Sequence, residues 1–399
     1  MIVFSEAYNT VLENSRDFGT ERVPLEKSVG RTLAEDVMAD RDFPPFDRVT
    51  KDGIALKYAS VEAGLVELPI EGTIAAGTAR TALENNKNCL EIMTGAVLPE
   101  NTDTVVMYEH ITIVKGKAHL NILPKKGQEI HYKGSDTRKG TVVLSANRKI
   151  DAAAIGILAA VGKAMVPVKK LPRIALVSTG NELVEVTEEP LPHQIRKSNM
   201  QSVHAALLNE GMDAEQLHLT DDRITIKKTL SKILDQKDVI LLSGGVSKGK
   251  FDHIPAVLEE LGVEKLFHGV LQRPGKPFWF GKHVDTGTII FSFPGNPAST
   301  FVNYHLYFLA WLSKCMQLPI AQNNVFLDGE IAVKGTLTLF MGVQITLKKG
   351  RLMATMVPGN GSGDLGSLSK WDGFIILPPR EEPYMEGDLL PFIPTKRIL

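Results

Sequence analysis

The stretch Val239-Ile-Leu-Leu-Ser243-Gly244-Gly245-Val-Ser247 leads a run of apolar residues directly into a pair of glycines. Two other stretches follow the same plan, Ile174-Ala-Leu-Val-Ser178-Thr179-Gly180-Asn-Glu182 and Ile289-Ile-Phe-Ser-Phe-Pro294-Gly295-Asn296-Pro297. Each is followed by a segment with a helical pattern. A strand, a glycine turn and a helix N-terminus leave backbone N–H groups unpaired, which is typical of an anion site, usually for phosphate. On parallel strands, the three loops would meet at one edge of the sheet, where open α/β folds bind ligands.

Strand and helix patterns alternate through the region around these loops. We expect strands at 173–178, 215–219, 238–243, 265–271 and 287–293, and helices near 198–210, 222–235, 253–261 and 297–316. The alternation predicts a doubly wound, mainly parallel sheet with right-handed crossovers. We place this α/β domain at residues 171–318.

The regions on either side of this domain have a different character. Residues 54–135 are rich in Val, Ile and Thr and interrupted by turn glycines, which predicts a small β domain. This domain is inserted into a first region that comprises residues 1–53 and 136–170. Residues 319–399 contain short strand patterns again, which are typical of a small β-barrel or sandwich.

Composition excludes several classes of protein. The chain has 399 residues, 43% of them hydrophobic, and a net charge of −1, so its surface is not basic enough for nucleic acid to be the main partner. Cys89 and Cys315 fit no metal-site spacing, and we expect reduced thiols in a cytoplasmic protein. No signal peptide is recognisable. The longest apolar stretch, 301–312, is too short to span a membrane.

Acidic residues stand at three successive strand ends: Glu182, Asp221 and Asp252. Each has two interpretations, as a helix cap or as a ligand of Mg²⁺ beside a bound phosphate. Asp222, next to Asp221, has the same two interpretations. Three such residues in succession favour a joint metal or electrostatic role over capping alone.

Other candidate residues lie in short turns. Lys276 in Arg273-Pro-Gly-Lys-Pro is a plausible phosphate contact, although the segment is also consistent with a plain reverse turn. Asn199 is a candidate helix cap or ligand donor. Asp52, Thr94 and Asp136 lie outside the α/β domain, and taken singly each fits a turn better than a site.

The motifs in order resemble those of the MoeA-type molybdopterin molybdenumtransferases, relatives of the gephyrin E domain. They run from Pro44-Pro-Phe-Asp47 and Asp52-Gly to Thr94-Gly-Ala-x-x-Pro and Gly134-x-Asp. Ser178-Thr-Gly-x-Glu-Leu, Ser198-Asn, Asp221-Asp, Ser243-Gly-Gly-Val-Ser, Pro274-Gly-Lys-Pro and Pro294-Gly-Asn-Pro follow. The resemblance covers essentially the whole chain.

The resemblance implies an elongated, four-domain α/β multidomain protein that forms a homodimer. Its parts would be an elongated N-terminal region for linkage and dimerisation, the small inserted β domain, the doubly wound sheet domain and a C-terminal β-barrel. The implied activity is transfer of molybdate onto adenylylated molybdopterin, with release of AMP and assistance from Mg²⁺. The implied pocket lies between the α/β domain of one subunit and the small β domain of the other. Other cofactor-synthesis enzymes are candidate partners.

The resemblance also assigns roles by motif. The catalytic residues would be Asp52, Thr94, Asp136, Glu182, Asp221 and Asp252, with the last three as candidate metal ligands. The ligand-binding residues would be Ser178, Thr179, Gly180, Ser198, Asn199, Gly244, Gly245, Ser247, Lys276, Pro294, Gly295, Asn296 and Pro297.

The chain departs from the family pattern mainly at cationic positions. His131-Tyr-Lys133 stands where arginines are expected, Gly269 stands for a lysine, and Asn181 replaces an aspartate. Lys51 restores one charge. Two alternatives therefore stay open: a related enzyme for another oxyanion or pterin step, and a non-catalytic dimeric scaffold.

Overall fold

The central sheet of the protein has six strands in a mixed arrangement. A computed structural model describes residues 1–246 and 252–398. The strands lie in the order Ala214–Leu219, Ile174–Thr179, Val239–Ser243, Ile289–Phe293, Trp279–His283 and Val263–His268. The first four are parallel, and the last two are antiparallel to their neighbours. The predicted doubly wound, mainly parallel fold is therefore confirmed.

One edge of this sheet differs from the sequence prediction. Trp279–His283 was not predicted as a strand, and it turns Val263–His268 into an antiparallel edge. The apolar run from Phe278 to Phe280 lies between turn residues, Pro277 and Gly281, which hide the strand pattern.

Alternating residues of the central strands face two separate cores. Ile174 and Leu176 pack in one core with Asn199–Asn209 and the long C-terminal helical segment of the domain. Ala175 and Val177 pack in the other core with Arg223–Gln236 and Ile254–Glu260. This period of two is what a strand buried on both faces requires. Each fully buried Leu or Ile contributes about 1.5–3 kcal/mol by leaving water.

The long helical segment begins at Pro297 and changes its winding once. It consists of the α-helix Pro297–Asn303, a π-helical turn Tyr304–Phe308 and the α-helix Leu309–Cys315. The first helix of the chain, Phe4–Glu13, packs against it through the fully buried Ala7 and Val11.

The N-terminal region is built from short antiparallel pairs and one helix. Thr20–Pro24 pairs with Met165–Lys169, and Val37–Met38 pairs with Val142–Leu144. Helix Ala152–Ala160 is capped by Asp151, whose carboxylate accepts from Ala154 N at 2.8 Å. The short helical turns of this half of the chain are Leu25–Lys27, Tyr58–Glu62 and Tyr108–His110.

The inserted β region forms a second six-stranded sheet. Its order is Thr104–Met107, Gly53–Leu56, Cys89–Ile92, Glu67–Ile74, Lys117–Leu120 and Ile111–Val114. A separate pair, Arg48–Val49 with Ile130–His131, lies beside it. Gly53 is required here because a Cβ would lie 1.9 Å from the carbonyl oxygen of Val106.

The C-terminal strands close into a five-stranded barrel. Thr338–Lys348, Arg351–Met356, Asn323–Leu327, Leu389–Pro394 and Gly373–Leu377 follow one another around it, and the last pairs with the first. Because the sheet closes on itself, the predicted barrel is confirmed and the alternative of a sandwich does not apply. The remaining elements are Leu183–Val184 with Ile195–Arg196, Gln272–Arg273 and the short helix Leu365–Leu368. Across residues 1–246 and 252–398, no helix has the length and apolar character to cross a membrane.

Candidate functional site

The three glycine loops open into one cavity of about 400 Å³ at the carboxyl edge of the central sheet. Ser178, Ser243 and Phe293 are directly paired in the sheet, so the three loops leave it side by side. The lining residues are Ser178, Thr179, Gly180, Glu182, Leu183, Ile195, Arg196, Lys197, Ser198, Asn199, Asp221, Ser243, Gly244, Gly245, Val246, Asp252, Pro277, Pro294, Gly295, Asn296 and Pro297.

Backbone N–H groups at this edge are available to a ligand. Within the described residues, the N–H groups of Gly245, Gly295 and Asn296 donate no hydrogen bond to the protein. Gly244 and Gly245 have positive φ angles of 96° and 70°. A Cβ at Gly244 would lie 2.7 Å from the carbonyl oxygen of Thr179, so only glycine lets these two loops pack together. This geometry suits an anion that approaches the backbone closely.

Asn199 ties the loops together instead of capping a helix. Its amide nitrogen donates to Ser243 Oγ at 2.9 Å and to the carbonyl oxygen of Gly295 at 2.6 Å. The N-cap position of the helix belongs to Ser198, and Asn199 is the first helical residue. The capping interpretation of Asn199 was therefore wrong, because its side chain reaches across to the second and third loops.

The neighbouring carboxylates Asp221 and Asp222 have different roles in the structure. Asp222 caps the helix Arg223–Gln236 by accepting from Thr225 N at 2.8 Å. Asp221 lines the cavity and is held by Asn181: its N–H donates to Asn181 Oδ1 at 3.0 Å, and its Oδ2 accepts from Asn181 N at 3.4 Å.

Glu182 and Asp252 also line the cavity. No helix begins at Glu182, since the next one starts at Asn199, and the N-cap of the helix after Asp252 is His253. Among the described residues, no three His, Cys, Asp or Glu side chains approach closely enough to hold a metal ion together. The arrangement leaves room for a cation that takes most of its ligands from substrate and water.

Two basic residues of the cavity wall were missed by the sequence prediction. Arg196 and Lys197 line it directly before the Ser-Asn pair that was predicted. The Lys197 side chain is only 10% exposed and pairs with Glu185, while Arg196 Nε donates to the carbonyl oxygen of Glu188 at 2.9 Å. The basic pair in Arg196-Lys-Ser-Asn was the available signal. Lys276 does not line the cavity, although its neighbour Pro277 does, and Ser247 lies outside the described residues.

Asp52, Thr94 and Asp136 do not line the cavity; they belong to two side-chain pairs, Asp52 with Thr94 and Asp136 with His131. Asp52 Oδ1 accepts from Thr94 N at 2.6 Å and from Thr94 Oγ1 at 2.8 Å. These two bonds, the backbone one first, hold the pKa of the Asp52 carboxyl below its usual range. Asp136 Oδ1 lies 2.7 Å from Nε2 of His131, which stands in the short strand that pairs with Arg48–Val49.

Three family models match consecutive parts of the chain. The MoeA N-terminal region, domains I and II, matches residues 2–162; the "Probable molybdopterin binding domain" matches 175–314; and the MoeA C-terminal region, domain IV, matches 327–395. A molybdopterin molybdenumtransferase of Synechocystis sp. is 38% identical over 98% of this chain and 99% of its own length. The chain belongs to the MoeA family of molybdopterin molybdenumtransferases.

Other relatives agree with this family membership. The molybdopterin molybdenumtransferase of Bacillus subtilis is 31% identical over 97% of this chain and 92% of its own length. Two crystal structures of a molybdopterin biosynthesis MoeA protein from Pyrococcus horikoshii superimpose with TM-scores of 0.85 and 0.81, at 29% and 27% identity. The first is covered over 100% of both chains, and the second over 99% of this chain and 100% of its own. The MoeA fold thus extends over the whole molecule.

Proposed function

We propose that this MoeA-family protein is the transferase of molybdenum cofactor biosynthesis that inserts molybdate into adenylylated molybdopterin and releases AMP. The observation that carries the proposal is the single cavity on which three glycine loops and three carboxylates converge. The names of the relatives support a transferase; they do not favour the alternatives of a changed oxyanion or pterin step, or of a scaffold.

The loops would bind the anionic groups of the substrate. The N–H groups of Gly245, Gly295 and Asn296, which meet no acceptor among residues 1–246 and 252–398, suit phosphate oxygens, and Lys197 and Arg196 add positive charge at the wall. Attack of an oxyanion on the adenylyl phosphate depends on positioning and on neutralising charge. A rigid edge formed by paired strands provides the positioning.

Magnesium would be held by one or two of the carboxylates Glu182, Asp221 and Asp252. One or two protein ligands would be enough, because Mg²⁺ usually keeps several waters and takes further oxygens from substrate phosphate. When bound, the ion would offset the negative charge that develops on the phosphate. The protein's own carboxylates would fix its place relative to the glycine loops.

A homodimer would complete the site. Asp52, Thr94 and Asp136 lie outside the cavity of their own chain, so a second subunit is the simplest source of these groups for a shared substrate. Other cofactor-synthesis enzymes would deliver the substrate or receive the product.

The test is an assay of AMP release with purified protein, molybdate, Mg²⁺ and adenylylated molybdopterin. We expect AMP and active cofactor from the wild type, and no release from an Asp252→Ala protein that is still folded. Absence of AMP from the wild type under these conditions would contradict the proposal. Tungstate in place of molybdate then measures the preference for the oxyanion.

A further inference from the structure

Arg48, His131 and Asp136 form a chain of hydrogen bonds at the pair of short strands Arg48–Val49 and Ile130–His131. Arg48 Nη2 lies 3.1 Å from His131 Nδ1, and His131 Nε2 lies 2.7 Å from Asp136 Oδ1. Arg48 and His131 are direct partners in the pair of short strands, so the backbone fixes the first contact. The imidazole therefore bridges a cation and a carboxylate.

The partners of His131 determine where its proton sits. A guanidinium only donates hydrogen bonds, so Nδ1 must be the unprotonated, accepting nitrogen. Nε2 then carries a proton and donates it to Asp136 Oδ1. The ring therefore holds the carboxylate by one directed hydrogen bond.

Asp136 itself is held at one end and open at the other. Its backbone N–H donates to the carbonyl oxygen of Phe43 at 3.0 Å, and Ser135 Oγ adds a contact of 3.4 Å to Oδ1. Within the described residues, Oδ2 accepts no hydrogen bond. The Asp136 side chain is 56% exposed, so without His131 its rotamer would be set by solvent.

We propose that His131 is a positioning residue for Asp136, which it holds with Oδ1 tied down and Oδ2 presented to the substrate. The role rests on the proposed function, in which Asp136 acts on the substrate bound by the partner subunit.

The decisive variants are His131→Phe and His131→Gln in the AMP-release assay. Phenylalanine removes both hydrogen bonds, and we expect kcat to fall roughly 10- to 100-fold with little change in KM, the order expected for a misplaced catalytic group. Glutamine offers an NH₂ donor and a carbonyl acceptor in place of the two ring nitrogens, and we expect it to recover most of the rate. His119→Phe is the matched control, because His119 also faces a carboxylate, Glu67, at 3.5 Å.

Equal rates for wild type and His131→Phe would overturn the proposal, and so would a His131→Gln protein as slow as His131→Phe. The tautomer gives a readout independent of activity. In protein labelled with ¹⁵N at its ten histidines, the signals missing from His131→Phe identify His131, and we expect a proton on Nε2 and none on Nδ1. A ring protonated at Nδ1 would contradict the contact to Asp136.

The AMP-release assay and the tautomer measurement together distinguish a failure of the proposed function from a failure of the positioning role. If the wild type releases no AMP while His131 carries its proton on Nε2, the proposed function fails and the hydrogen-bond chain stands. If the wild type releases AMP and His131→Phe does so equally well, only the positioning role fails.

Discussion

The cavity of the central sheet and the two side-chain pairs outside it hold their polar groups by different means. In the cavity, loops that follow paired parallel strands present backbone N–H groups, as at Gly245 and Gly295. In the pairs, one side chain holds the other, as Thr94 holds Asp52 and His131 holds Asp136. Substitutions in the cavity should therefore act through the backbone, whereas substitutions in a pair should act through the neighbouring side chain.

We expect the largest loss of AMP release at Asp221 and almost none at its neighbour Asp222. Asp221→Ala should lower AMP release by at least about 100-fold, the order seen when one preorganised electrostatic group is removed. Asp222→Ala should keep that activity and lose about 1 kcal/mol of stability, because Asp222 only caps a helix. AMP release and urea unfolding of both variants measure this. Equal activity losses would show that Asp221 has no special role.

A second experiment tests whether the cavity is built from backbone. Gly244→Ala places a Cβ 2.7 Å from the Thr179 carbonyl oxygen at a φ of 96°, and should cost roughly 1–3 kcal/mol and weaken AMP binding. Gly116→Ala is the control: Gly116 also has a positive φ, 76°, but nothing lies within 4 Å of the added methyl. Calorimetry with AMP should show a loss in the first variant only. Undiminished binding would mean that the loop contact is not required.

A third experiment tests the pair of Asp52 and Thr94. Thr94→Val removes one of the two hydrogen bonds that depress the pKa of Asp52, so that pKa should rise. Since Asp52 would then protonate at higher pH, the acid limb of the AMP-release profile should move upward, while Thr94→Ser should not move it. An NMR titration of Asp52 reports the same shift directly. An unmoved acid limb would imply that Asp52 does not act as a carboxylate in the reaction.

We expect the smallest effect on activity at Asp238, whose carboxylate binds Arg16 and Arg173 and does not line the cavity. Burial raises the pKa of Asp238, but hydrogen bonds from Arg173, with the charges of Arg173 and Arg16, more than offset this, and the pKa lies below 3.8. Its stabilising contribution is therefore complete above about pH 4 and is lost as the pH falls through the lowered value. Asp238→Asn should cost roughly 1–3 kcal/mol at neutral pH without changing kcat.

Thermal unfolding of Asp238→Asn and wild type, measured between about pH 2 and pH 7, gives that contribution. The lower part of this range covers the pH values at which carboxyl groups become protonated. The two curves should converge at the acid end. A difference that persists there would assign the effect to lost packing instead of charge.

Local features of this protein could be predicted from neighbouring residues alone. Apolar runs that end in Gly180, Gly244 or Gly295 specify strands, turns and the edge at which they open, because backbone preferences are local. The motif order was sufficient to indicate the MoeA family.

Contacts between distant segments could be seen only in the folded molecule. It made Trp279–His283 an antiparallel strand, gave the cap to Asp222 instead of Asp221, and turned the Asn199 side chain onto Ser243 and Gly295. It also brought His131 between Arg48 and Asp136. These outcomes depend on hydrogen bonds between residues far apart in the chain, and no local preference encodes which partner a side chain will meet.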